Sequence, residues 1–226
     1  MNEKLKSLLK ILSIYVAYFI YTTLISSTLS VFGISGEVTL MFISDLVFFA
    51  SIVILYKDAL KEGYKKFEKN YKPSKRIFFI LKWVAILFGI NMLGGIITEI
   101  FFPGLAETGN TATIYSLASV STAYIIFKTL IFATVAEELV FKKAIRELIN
   151  NNTLFIITSS LVYALINVMY TNFNYITLID MVSYFLFSLV LSYVYVKNDD
   201  NIVMPIAIKF CYNLIPITIM IISMGG

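Results

Sequence analysis

Long apolar runs separated by short polar connectors dominate the chain. Seven of them, 8–27, 38–56, 77–101, 114–140, 153–169, 176–196 and 202–224, approach the roughly 20 mostly apolar helical residues that cross a bilayer's hydrocarbon core. The runs are continuous, whereas the strands of a membrane barrel alternate apolar and polar positions. The pattern therefore predicts an all-α, polytopic membrane helix bundle of about seven transmembrane helices. The fourth run is long enough to tilt, break or extend past the surface.

Composition points the same way. Of 226 residues, 59% are hydrophobic and 14% charged, against about 25% charged in ordinary soluble domains. Mean hydropathy is +0.85. A soluble domain of this size has no interior large enough to hide that much apolar surface, and disordered chains are poor in such residues. The expected location is the cell membrane, with the lipid bilayer as the first partner.

The placement of the 18 Lys and Arg residues orients the bundle. Lys4, Lys6 and Lys10 precede or rim the first run. Lys57, Lys61, Lys65, Lys66, Lys69, Lys72, Lys75 and Arg76 fill the second connector, Lys142, Lys143 and Arg146 follow the fourth run, and Lys197 follows the sixth. The connectors after the first, third and fifth runs hold none. Basic connectors alternate with empty ones, the positive-inside pattern, which predicts a cytoplasmic N-terminus. The net charge of +4 is small and sits where it serves lipid contact, so no nucleic-acid partner is expected. The first run is too long for a signal peptide and is read as a retained anchor. Residues 1–76 read as an N-terminal helical hairpin with a basic cytoplasmic loop, and 77–226 as the membrane core, together one structural unit.

Missing residue types narrow the chemistry. The chain has no histidine and one cysteine, Cys211. This excludes His-ligated metal, a Ser-His-Asp triad, a Cys-His dyad and an intrachain disulfide. Neither a metal nor another cofactor is expected.

Ionisable groups inside the predicted runs are Asp45, Lys82, Glu99, Lys128, Glu137, Glu138, Asp180 and Lys209. Each costs about 2.5–3.5 kcal/mol on insertion scales unless paired or watered. Lys82 is close enough to a helix end to snorkel. Glu99 and Asp180 lie near the outer ends, and Asp45 reads as a structural hydrogen-bond acceptor. Glu137 and Glu138 are harder to place: adjacent residues point about 100° apart on a helix, so one can face the interior while the other faces a neighbouring helix or the surface. Lys142 lies four residues after Glu138, in the order that favours an ion pair.

The stretch Glu137-Glu138-Leu139-Val140-Phe141-Lys142 resembles the EExxxR motif of the CPBP/Abi family, which contains CAAX prenyl endopeptidases and proteins of bacteriocin processing and self-immunity. Tyr163-Ala164-Leu165-Ile166-Asn167 stands where that family carries FxxxH, and Lys209-Phe210-Cys211-Tyr212-Asn213 where it carries HxxxN. The resemblance covers roughly 115–220. It implies that Glu137, Glu138, Asn167, Lys209 and Asn213 occupy the catalytic positions, with Lys142 and Tyr163 as flanking binding positions, all converging on one interior cavity. In active members a glutamate activates water, while histidines and an asparagine polarise the scissile carbonyl.

Both histidine positions are replaced here, by Asn167 and Lys209. An amide cannot take up a proton, and a lysine among glutamates stays cationic. Such a lysine is expected to pair with Glu137 or Glu138, with Asn167 and Asn213 satisfying the remaining lone pairs, an arrangement that opposes water activation. The expected function is a non-catalytic scaffold or regulator of another envelope protein. The alternatives are an active glutamate-dependent CAAX-type endopeptidase, in which Lys209 and Asn167 serve as oxyanion donors, and a bacteriocin self-immunity protein. A small transporter is a further reading, but no internal repeat supports it.

Overall fold

The computed structural model describes residues 3–70, 72–101, 121–169 and 175–225, and among these it is helical, with no strands. The first helix, α1 (Glu3–Val31), ends in a tight cap: Gly33 takes φ 80°, Gly33 N donates to Ser30 O at 3.0 Å and Ile34 N to Leu29 O at 3.1 Å. That left-handed position is open to glycine because no β-carbon clashes there. Next come α2 (Glu37–Leu55), α3 (Lys57–Asn70) and α4 (Pro73–Phe101). Proline opens α4 at the position where its missing N–H has no partner to lose.

The next helical segment, 122–146, is not uniform. It begins as α5 (Thr122–Ile126), capped by Ser121 Oγ, which accepts from Tyr124 N at 3.2 Å. It then widens into two π-helical stretches, π1 (Phe127–Ala136) and π2 (Leu139–Ala144). Asn151 caps α6 (Asn152–Val168) by accepting from Leu154 N at 2.9 Å. Two helices remain, α7 (Tyr175–Lys197) and α8 (Val203–Gly225).

Five helices, α1, α2, α4, α7 and α8, are long and apolar enough to cross a membrane, and the 17-residue α6 is shorter but apolar. They coincide with five of the runs read from the sequence, and α6 with a sixth. Of the run 114–140, residues 114–120 lie outside the described residues, and the rest forms the mixed α/π segment. The basic connector 57–76, expected as a loop, is instead largely helical. Leu60, Gly63 and Phe67 recur at helical spacing in α3, and the bundle covers that face.

The π segments form the axis of the bundle. They pack on α2 and α8, and α6 packs on α7. One hydrophobic cluster joins Ile11 of α1, Phe48 of α2, Leu87 of α4, Phe132 and Phe141 of the centre, Leu191 of α7 and Ile208 of α8. Leu139, Val140, Phe141 and Ala144 have no exposed surface. Outward-facing residues such as Leu24, Phe78, Met92 and Ile222 are apolar and exposed, as a bilayer solvent requires. Among the glycines of α4, Gly94 faces another helix, opposite Ser183 of α7, and Ser188 and Ser192 are buried within the chain.

Candidate functional site

Glu137 and Glu138 occupy the short stretch between π1 and π2. A π-turn adds a residue to the backbone ring, and such turns are rare and frequently stand at functional sites. Glu138 is wholly buried, and so is Lys142, four residues on; their Oε2 and Nζ lie 2.8 Å apart. Glu137 retains 15% of its side-chain surface.

Lys209 reaches this pair from α8. Its Nζ lies 3.0 Å from Glu137 Oε2 and 3.1 Å from Glu138 Oε1. Two carboxylates and two ammonium groups therefore form one continuous ion network whose formal charges cancel. Burying any one of the four alone would cost several kcal/mol in a low-dielectric interior. The Tyr163 ring of α6 faces both cations, with Lys209 Nζ at 4.9 Å and Lys142 Nζ at 5.7 Å from its centroid, within the range of cation–π attraction. Phe141 closes the other side, in edge contact with Tyr18 and Tyr163.

The two asparagines are placed differently from expectation. Asn167 Nδ2 donates to Tyr163 O at 2.8 Å, and Asn213 Nδ2 donates to Thr129 O at 3.1 Å. Neither supplies a hydrogen bond to the carboxylates among the described residues. Each amide finds a closer backbone acceptor, Asn167 one turn back on its own helix and Asn213 across to π1. Among the described residues the polar contacts of the two carboxylates come from lysines alone. Of the seven residues read as site positions, Glu137, Glu138, Lys142, Lys209 and Tyr163 come together, and the two asparagines sit one turn beyond.

A second polar node was not legible as a unit. Asp45 of α2, 2% exposed, sits 2.9 Å from Lys128 Nζ of π1. Its carboxylate also accepts from Tyr124 at 2.8 Å and from Tyr21. Lys128 lies 4.1 Å above the Phe132 ring. The available signal was that two opposite charges in different predicted spans each needed a partner. The tyrosines carried none, because the chain has 15 of them.

The basic end is clamped separately. Lys10 pairs with Glu147 at 2.7 Å, Arg146 with Asp200 at 2.9 Å, and Asn201 Nδ2 donates to Gly63 O at 3.0 Å. No group of three or more metal-ligating side chains occurs among the described residues.

Residues 119–215 match the family model described as type II CAAX prenyl endopeptidase Rce1-like. That segment contains every residue of the ion network, both asparagines and Lys128. No curated protein and no solved structure matches the chain. The motif order and the family match agree: residues 119–215 of this multi-pass membrane protein are similar to the Rce1-like type II CAAX prenyl endopeptidases.

Proposed function

We propose that the chain is a non-catalytic member of this family that binds another envelope protein within the bilayer. The observation that carries the reading is the position of Lys209 Nζ, 3.0 Å from one glutamate and 3.1 Å from the other. A general base needs a basic carboxylate within reach of the proton it removes. Here both carboxylates neutralise cations, and no imidazole stands by to exchange a proton. The Asn167 amide is committed to a backbone carbonyl. What persists is a rigid polar core inside an apolar bundle, suited to holding a binding surface in shape. In the same reading the 122–146 segment and α6 complete seven crossings, with the basic end in the cytoplasm.

The test has two arms. A prenylated CAAX peptide incubated with purified protein in mild detergent should show no cleavage above background. Affinity capture from the same detergent, read by mass spectrometry, should enrich a discrete integral membrane protein. Cleavage that disappears in Glu138→Gln would overturn the proposal.

One observation favours the other reading, an active glutamate peptidase. Glu137 is partly open, and its Oε1 makes no hydrogen bond among the described residues. In that case Glu137 holds the water and Lys209 stabilises the oxyanion. Cleavage lost in Glu137→Gln and Lys209→Met would establish it.

A further inference from the structure

Lys57, Lys61, Lys65 and Lys69 recur every fourth residue along α3, and all four are exposed. At four-residue spacing, side chains on a helix stack into one slanting stripe. None of the four makes an ion pair among the described residues, whereas Glu62 is taken by Lys66 at 2.8 Å. That contact holds the Glu62 carboxyl below its usual range.

The opposite face of α3 is occupied. Leu60 and Phe67 pack on the hydrophobic core. Gly63 O accepts from Asn201 at 3.0 Å, and a β-carbon on Gly63 would sit 2.7 Å from Asn201 Oδ1 and 2.9 Å from Val203 Cγ2. These contacts set the roll of the helix about its own axis, so the lysine stripe points away from the bundle. Exposed Tyr64 lies beside it.

The ends of α3 are tethered as well. Tyr56 alone separates it from α2, and two residues separate it from α4; both neighbours are candidate spans. A helix of 14 residues is about 21 Å long at 1.5 Å per residue. Held at both ends by candidate spans, it stays at the basic end of the bundle.

We propose that the stripe formed by Lys57, Lys61, Lys65 and Lys69 binds anionic phospholipid headgroups of the leaflet at the basic end of the bundle. The ammonium groups donate charge-assisted hydrogen bonds to phosphate oxygens, and Tyr64 sits at headgroup level, where tyrosine is favoured. Because Gly63 is seated against Asn201 and Val203, where α8 begins, a headgroup held by the stripe also restrains the helix that carries Lys209.

The experiment uses the full chain in micelles with either dioleoyl phosphatidylglycerol or dioleoyl phosphatidylcholine, read by native mass spectrometry. Wild type should retain the anionic lipid over the zwitterionic one by at least about tenfold, given the attraction of each surface lysine to anionic lipid. K57Q/K61Q/K65Q/K69Q should bring the ratio to within about twofold of unity. Should that variant fail to fold, K61Q/K65Q carries the same test with a loss of about threefold or more. Equal retention of the two lipids by wild type, or an unchanged ratio in a folded variant, would overturn the proposal. So would displacement of the lipid by millimolar glycerol 3-phosphate, which would mark a site for soluble phosphate. Capture of polyglutamate without any lipid preference would instead assign the stripe to an acidic protein and equally overturn it.

Discussion

Lys142 and Glu138 form a 2.8 Å ion pair in which neither side chain keeps any exposed surface. Deleting one partner strands a buried charge, at about 3–5 kcal/mol. Lys142→Met should therefore lower the midpoint of thermal unfolding in detergent sharply. Adding Glu138→Gln should recover part of the loss, because the uncompensated carboxylate is gone. A double variant no more stable than K142M would show that the pair does not govern the interior charge balance.

Lys209 bridges both glutamates, so it should couple to each. In a double-mutant cycle, Lys209→Met with Glu138→Gln should give an interaction energy of about 1–3 kcal/mol. The coupling to Glu137 should be smaller, because that side chain is partly open while Glu138 is not. The check is chemical denaturation in a fixed detergent. Additive effects at both glutamates would mean that Lys209 is free to act as a donor. Lys209→His alone should not create peptidase activity, because the Asn167 position still lacks a proton acceptor.

Asp45 and Lys128 differ in exposure, 2% against 32% of the side chain. Lys128→Met leaves a buried carboxylate with only the Tyr21 and Tyr124 hydroxyls, whereas Asp45→Asn leaves a cation that reaches its surroundings. The lysine change should destabilise the protein more, by about 3 kcal/mol or above. Tyr124→Phe, which removes one hydrogen bond to a charged group, should cost about 1.5–3 kcal/mol. Thermal melts of the three variants order these effects, and D45N proving the most damaging would contradict the argument.

Gly63→Ala forces a β-carbon to within 2.7 Å of Asn201 Oδ1. Overpacking of this kind costs about 1–3 kcal/mol. In an Asn201→Ala background the same change should cost less, since the nearest obstructing atom is absent. Limited proteolysis within 57–76 offers a local readout: G63A should be cut faster than wild type. An unchanged digestion rate would argue that α3 is not seated by this contact.

The departures from expectation share a cause. Asn167 and Asn213 occupy family positions on the sequence, yet their amides bond to Tyr163 O and Thr129 O and not to the glutamates. A side-chain amide takes the nearest carbonyl, and which carbonyl is nearest depends on backbone placement. The 57–76 connector reads as a charged loop by composition. Its apolar positions do recur at helical spacing, but a helix this short is marginal by itself, and the bundle that covers Leu60, Gly63 and Phe67 supplies the packing that holds it.

The sequence by itself determined the solvent, the helical class, the chemistry excluded by the absent histidines, and the expectation that Lys209 pairs with a glutamate. Those follow from composition, from run length against bilayer thickness and from the cost of unpaired charge in hydrocarbon, none of which needs coordinates. Tertiary structure decided that Lys209 bridges Glu137 and Glu138 together, that Asp45 meets Lys128, and that the glutamates lie between two π-helical stretches. Glu138 and Lys209 are 71 residues apart, and Asp45 and Lys128 are 83 apart. Contacts across such separations are set by how helices pack, and local periodicity carries no information about which helix faces which.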